Sequence, residues 1–287
     1  MTFAELKAHI HNCLQPLYPK SEINSFYFIL LEHYVNYTTA DVLANADTLL
    51  TDNIKQSIQQ AITELQTAKP IQYILGETEF FSNRFFVDEN VLIPRPETEE
   101  LVDWVLQTYP DKNYPLHILD IGTGSGCIPI SLAKALPKSV VTAIDVSPKA
   151  ITVAQRNADR NGVKIQFLQC DILQTKTLPQ KYDVIISNPP YVRELEKTEM
   201  HSNVLSYEPH LALFVPDERP LLFYEQIATL AQQYLKPEGS LFFEINQYLA
   251  AEMQAMLTQK NFAEIILRQD LSGNDRMLCA HIFTKVK

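Results

Sequence analysis

Apolar residues recur at helical spacing from residue 2 to about residue 67, as in Phe26, Ile29, Leu30 and then His33, and again in Ile54, Ile58, Ala61, Ile62 and Leu65. The pattern predicts a bundle of four or five helices. Its breaks fall near residues 16–20, 37–40 and 47–52, where Thr51 or Asp52 is placed to cap the last helix. Pro70 is expected to end the helical region. Residues 79–87 then set aromatic side chains on either side of Ser82-Asn83, which predicts a β-hairpin turning at that pair.

A helix is predicted after residues 95–99, through Leu101, Val102, Val105 and Leu106, closing at 110–115. From His117 the pattern alternates: strand 117–121, helix 128–136, strand 140–144, helix 148–161, strand 164–168. A strand at 182–187, a long loop, a helix at 221–234 and a strand at 240–245 follow. Two last strands, about 263–268 and 276–284, are expected to pair antiparallel. Alternation of this kind predicts an α/β fold with a largely parallel sheet and helices on both faces. The chain divides, on this reading, into a helical bundle (1–69), a linker with the hairpin (70–94) and an α/β domain (95–287).

Composition narrows the partners. The 34 acidic against 24 basic side chains give a formal net charge of -10, and no Lys/Arg-rich run interrupts it, so direct nucleic-acid binding is disfavoured and a protein or small-molecule substrate favoured. No run approaches the roughly 18 apolar residues of a membrane span, and the start, MTFAELKAHIHNCL, is amphipathic and unlike a signal peptide. Cys13, Cys127, Cys170 and Cys279 form no C-x-x-C pair, and the seven histidines show no metal-ligand spacing. A cytoplasmic, monomeric protein with no metal is expected.

The first strand of the α/β region runs into Asp120-Ile121-Gly122-Thr123-Gly124-Ser125-Gly126 and then a helix, which puts a glycine loop where open α/β sheets bind ligands. A triphosphate-binding loop requires Gly-Lys-Ser/Thr, and Gly126-Cys127-Ile128 stands there instead. Asp145 ends the second strand, where a carboxylate can accept both ribose hydroxyls of an adenosine. Asp171 follows the third strand. Cys127 and Cys170 are read as small packing residues.

At the end of the fourth strand stands Asn188-Pro189-Pro190-Tyr191. Consecutive prolines lock φ and leave carbonyls free to accept. An amide or aromatic amine nitrogen is a weak nucleophile because its lone pair is delocalised. The Asn188 oxygen and the Pro189 carbonyl can accept its two N–H bonds and aim the lone pair. Tyr191 is expected to pack on the flat face of the acceptor.

The G-x-G-x-G spacing with an acid two positions before it resembles the first motif of class I methyltransferases, which implies a Rossmann-like seven-stranded domain and S-adenosylmethionine as methyl donor. In that resemblance Asp120, Gly122, Thr123, Gly124, Ser125, Gly126, Asp145, Asp171, Ile172 and Asn188 bind the cofactor, Asp120 and the loop carbonyls face its cationic end, and Asp171 faces the adenine. The Asn-Pro-Pro-Tyr motif is similar to that of DNA adenine and rRNA guanine amino methyltransferases and of protein glutamine methyltransferases.

Almost the whole chain resembles the release-factor glutamine methyltransferases, the PrmC/HemK family. The likeness is carried by Pro70-Ile71-Gln72-Tyr73-Ile74-Leu75-Gly76, Leu92-Ile93-Pro94-Arg95-Pro96-Glu97-Thr98-Glu99 and Tyr207-Glu208-Pro209-His210-Leu211-Ala212-Leu213. It implies methylation of the side-chain amide of the glutamine in the Gly-Gly-Gln motif of class I peptide chain release factors. Asn188 and Pro189 would be catalytic, Asn188 through Tyr191 with Arg95 and Glu97 would hold substrate, Gln72 and Glu208 would line or brace the pocket, and the bundle would dock the release factor. Two departures stand out. Ile172 occupies a position where relatives commonly carry an aromatic residue, so aliphatic packing on the adenine is expected. Glu244-Ile245-Asn246-Gln247 lacks the glycine of the relatives' Glu-x-Gly-x-x-Gln.

Overall fold

The computed structural model describes residues 1–282, so the last two positions of the final expected strand lie outside the described residues. Chain contacts separate two compact units, Met1–Gly76 with His201–Tyr207, and Glu77–Met200 with Glu208–Lys287. Residues 70–94, expected as a linker, divide at Gly76 between them.

The first unit holds α1 (Phe3–Leu14), α2 (Lys20–Val35), α3 (Thr39–Ala44), α4 (Asp52–Leu65) and α5 (Ile71–Leu75). Capping boxes start α1 and α3: the Thr2 and Thr38 hydroxyls accept from the N–H of Glu5 and Asp41, whose carboxylates accept from the two threonine N–H groups. Thr51 takes the capping position of α4 without a side-chain bond to the helix. Pro70, expected to end the helical region, instead opens α5, since a residue at a helix start needs no N–H. Phe3, Leu6, Ile10, Leu30, Ile58 and Ile62 are among the side chains that fill the core.

The second unit opens with a hairpin, β1 (Glu77–Phe80) and β2 (Asn83–Phe86). The register pairs Phe80 with Asn83, so the turn residues are Phe81 and Ser82, one position earlier than expected. Both have positive φ, 49° and 56°, as a type I′ turn requires. A phenylalanine in that conformation is held by tertiary contacts: Glu99 accepts its N–H at 2.8 Å, and the Asn83 side chain donates to its carbonyl at 2.6 Å.

Then come α6 (Pro96–Thr108), β3 (His117–Ile121), α7 (Cys127–Ala135), β4 (Val140–Asp145), α8 (Pro148–Asn161), β5 (Gln166–Gln169), β6 (Tyr182–Ser187) and β7 (Val192–Arg193). The expected long loop holds β7, α9 (Ser202–Tyr207), which belongs to the first unit, and β8 (Phe214–Val215), parallel to β7. After α10 (Leu222–Tyr234) and β9 (Leu235–Glu244) lies α11 (Ala250–Gln259), a helix the sequence reading missed, and β10 (Phe262–Gln269) and β11 (Asp275–Ile282) finish the unit.

Seven strands form one sheet in the order β10-β11-β9-β6-β3-β4-β5. The pairs from β9 to β5 are parallel, and β11 is antiparallel to both β9 and β10. β10 and β11 do pair antiparallel, as expected. Side chains alternate between two cores: Leu119, Ile121, Ile185, Leu241 and Phe243 face α10 and α11, while Ile118, Val184, Ile186 and Phe242 face α6, α7 and α8. From β3 the chain first adds β4 and β5 on one side, then crosses to β6 and β9 on the other. That reversal opens a crevice at the carboxyl ends of β3 and β6.

Candidate active site

A cavity of about 350 Å³ lies at those carboxyl ends. Gly122 and Gly124 follow β3, Asp145 closes β4, Asp171 and Ile172 follow β5, and Asn188, Pro189 and Pro190 follow β6; all of these line it. The parallel register of β3 and β6, with Ile121 opposite Ser187, brings Gly122 level with Asn188. The Ser187 hydroxyl reinforces this alignment by donating to the Ile121 carbonyl at 2.7 Å.

The glycine loop is built from β4. The N–H groups of Gly122 and Thr123 donate to the Ile144 carbonyl at 2.9 and 3.0 Å, and that of Gly124 to Asp145 Oδ2 at 2.8 Å. Asp145 Oδ1 accepts from Ser147 N at 2.9 Å. Each oxygen thus keeps a further lone pair, so the carboxylate is oriented by the backbone and can still accept. Burial pushes its pKa up, opposed by the Ser147 and Gly124 N–H groups. Asp171 is exposed; one oxygen accepts from Leu173 N at 2.9 Å.

The three loop glycines differ in their reasons. All have positive φ, but a Cβ on Gly122 or Gly124 would meet nothing within 4 Å, whereas one on Gly126 would sit 3.0 Å from Ile130 and 3.1 Å from Ala154. Gly126 is off the cavity wall and serves the packing of α7 against α8. Thr123 and Ser125 are buried away from the cavity, and the Ser125 carbonyl accepts from Asn157 at 2.8 Å.

Asp120, expected to face the cofactor, is fully buried below the loop and off the cavity wall, and neither carboxylate oxygen makes a hydrogen bond of ordinary length and angle. Desolvation pushes its pKa up to about 7. A charge buried and unanswered in this way is suited to a cationic group bound nearby.

Asn188 Nδ2 donates to Thr98 Oγ1 at 3.2 Å, and Thr98 donates to Glu244 Oε2 at 2.6 Å. Tyr191 departs from expectation. It is off the cavity wall, packed against the core, and its hydroxyl donates to Glu244 Oε1 at 3.1 Å. Burial raises its pKa strongly, with the Glu244 charge adding to the effect. Arg95 also turns from the cavity, pairing with the buried Glu208 at 2.5 Å, while Glu208 accepts the Ile93 N–H at 3.2 Å. The two form a brace across 113 residues of chain. Glu97 begins α6, is off the cavity wall, and makes no hydrogen bond or ion pair among the described residues. Gln72 sits in α5 of the first unit.

Two residues were missed in the sequence. Thr98 shares a face with Leu101, Val102 and Val105, and a polar residue on an apolar helical stripe is the signal that marks it. Phe223, from the first turn of α10, lines the cavity with Ile172 and Ile227. Asn246, standing where the relatives' glycine is expected, donates to the Tyr191 carbonyl at 3.1 Å and to Glu196 at 2.9 Å, and so braces the segment after Asn188. Cys127 is buried, its thiol pushed up to about 12 by desolvation, which suits packing and not nucleophilic attack.

The Methyltransferase small domain family model matches residues 103–208, and that of the PrmC N-terminal domain matches residues 8–76. A methyltransferase from Pyrococcus furiosus superposes with a TM-score of 0.51 at 16% identity, over 80% of this chain and 98% of that one. Sheet order, glycine loop and family model together define a class I methyltransferase with a Rossmann-like fold. The Flavobacterium psychrophilum release factor glutamine methyltransferase is 50% identical over 97% of this chain and 98% of its own. That of Bacteroides thetaiotaomicron is 41% identical over 96% and 99%. This chain belongs to the release factor glutamine methyltransferase family. No helix among the described residues is long and apolar enough to cross a membrane.

Proposed function

We propose that this protein transfers a methyl group to the side-chain amide nitrogen of the glutamine in the Gly-Gly-Gln motif of class I peptide chain release factors. The observation that carries this reading is the convergence of Asp145, Asp171, the Gly122 to Gly124 turn and Asn188-Pro189 on one cavity. Family membership supports the choice of acceptor, and the net charge of -10 speaks against nucleic acid.

The residues present fit S-adenosylmethionine. Asp145 keeps lone pairs for ribose hydroxyls, Asp171 suits an adenine amino group, Ile172 and Phe223 offer apolar faces, and Asp120, buried behind the glycine loop, favours a cation through space without touching it. The bound cofactor supplies a methyl group on a sulfonium, which is already electrophilic. The chain has therefore to deliver the nucleophile. Asn188 Oδ1 and the Pro189 carbonyl accept the two amide N–H bonds, fix the nitrogen and turn its lone pair toward the methyl group. The cofactor, when bound, would give up its methyl group to the nitrogen and keep the C–S electron pair as a neutral thioether; the nitrogen so held could lose its extra proton afterwards, so these residues need supply no base beside it. Pro190 stiffens the ledge; Tyr191, Arg95 and Glu97 act as supports and not as substrate contacts. The helical unit, which carries the PrmC N-terminal match, docks the release factor. A release-factor substrate supports a cytoplasmic location for the enzyme.

The test is transfer of labelled methyl to a purified release factor, to ribosomal RNA and to DNA. Labelling of the release factor alone is expected. Labelling of nucleic acid and not of the factor would overturn the reading.

A further inference from the structure

One chain of buried hydrogen bonds ends at the cavity wall. Thr98 and Glu244 are 2% and 1% exposed, and Glu244 receives hydroxyl protons from Thr98 and Tyr191 on its two oxygens. In this arrangement both carboxylate oxygens act as acceptors. The Thr98 hydroxyl therefore commits its one proton to Glu244 and turns a lone pair to Asn188, so the Asn188 atom facing it has to be a donor. This fixes Nδ2 toward Thr98, 3.2 Å away, and leaves Oδ1, which accepts no hydrogen bond among the described residues, for the cavity that Asn188 lines. The two ends of an amide are nearly equal in size, so sterics alone would not choose between them. Burial pushes the Glu244 carboxyl up, and the Thr98 and Tyr191 donors with the nearby Arg276 charge oppose it.

We propose that Glu244, acting through Thr98, is a positioning residue that holds the Asn188 amide with its oxygen toward the acceptor and thereby selects glutamine over glutamate. A glutamine amide offers two N–H donors to an acceptor wall, whereas a glutamate carboxylate offers none. If the Asn188 amide were reversed, its NH2 would oppose the donors of glutamine and suit the carboxylate of glutamate. The proposal rests on the reading of Asn188 as the residue that holds the acceptor nitrogen.

Thr98→Val preserves volume and removes the acceptor, and Thr98→Ser restores it. Thr98→Val is expected to lower kcat on the release factor by on the order of 10- to 100-fold. Cofactor Kd should stay near wild type, Tm should fall because a buried Glu244 oxygen and the Asn188 NH2 each lose a partner, and Thr98→Ser should recover most of both the rate and the Tm. A release factor carrying Gly-Gly-Glu should inhibit the valine variant more strongly, relative to wild type. Wild-type kcat in Thr98→Val, or equal impairment in Thr98→Ser, would overturn the relay. A second readout needs no substrate: nitrogen-15 NMR of the Asn188 side-chain amide, assigned by its loss in Asn188→Asp. Its protons should exchange at least about 10-fold faster in Thr98→Val than in wild type or Thr98→Ser, and equal exchange refutes the relay. If wild type fails to label the release factor while the exchange difference is present, the proposed substrate fails and the positioning stands.

Discussion

Asn157 of α8 pairs its side-chain amide with the backbone of Phe86 in β2, accepting from the N–H at 2.6 Å and donating to the carbonyl at 2.9 Å. The same NH2 donates to the Ser125 carbonyl at 2.8 Å, so one fully buried side chain ties the hairpin to the glycine loop. Asn157→Leu removes three hydrogen bonds and leaves backbone groups unanswered. It should destabilise the protein by about 2–4 kcal/mol, measured by urea unfolding. A loss below about 1 kcal/mol would show that the tie contributes little.

Asp120 gives a pH-dependent prediction. Its folded-state pKa of about 7 lies above the ordinary 3.8 because of desolvation. Between these values the folded state keeps a proton that the unfolded state has released, so this group's contribution is full below pH 3.8 and falls as pH rises to about 7. The loss is on the order of 4 kcal/mol. Asp120→Asn, which cannot ionise, should become progressively more stable than wild type between pH 4 and 7, level off above about pH 8, and bind the cationic cofactor more weakly. A stability difference independent of pH would contradict this account.

Gly126→Ala and Gly122→Ala should fail differently. At Gly126 a φ of 81° and contacts of 3.0 and 3.1 Å oppose a methyl group, so a loss of about 2–3 kcal/mol in stability is expected. Gly122 lines the cavity, and a Cβ there meets open space, so stability should fall by about 1 kcal/mol from its φ of 77° while cofactor affinity falls further. Thermal unfolding with calorimetric titration separates the two. Parallel behaviour of the variants would argue against distinct roles.

Phe223→Ala should weaken cofactor binding by about 10-fold through loss of ring contact, and lower Tm as well, because Phe223 also packs against the core. Ile172→Phe in that background should restore part of the affinity if the two positions share one ligand face. An unchanged Kd in Phe223→Ala would remove the ring from the cofactor site.

The period of the hydrophobic pattern made the alternating strands and helices from β3 to β6 legible, because strands buried on both faces read as apolar runs between glycine and proline breaks. It did not reveal that β11 inserts between β9 and β10, since pairing order is set by contacts across the fold. The missed α11 carries Ala250, Met253, Met256 and Leu257 at helical spacing, so its signal was present in the pattern. The hairpin turn was expected one residue later because turn preference favours asparagine over phenylalanine at positive φ, and the bonds of Phe81 with Asn83 and with Glu99, distant in sequence, work against that preference. At the site, Asp145, Asp171 and Asn188 were legible because each ends or follows a strand. Thr98 and Phe223 were not: Phe223 reaches the cavity from a helix, and Thr98, also on a helix, lies behind Asn188 and off the cavity wall. Gly122 and Gly126 look alike in sequence and differ only in what surrounds them.

The central claim is tested most directly by tandem mass spectrometry of the Gly-Gly-Gln peptide from a release factor incubated with S-adenosylmethionine and either the wild-type protein or Asn188→Ala. One methyl group on the glutamine side-chain amide is expected with wild type. With the variant it should form at least about 100-fold more slowly while cofactor binding persists. A methyl group on any other residue, or equal rates for the two proteins, would contradict the account.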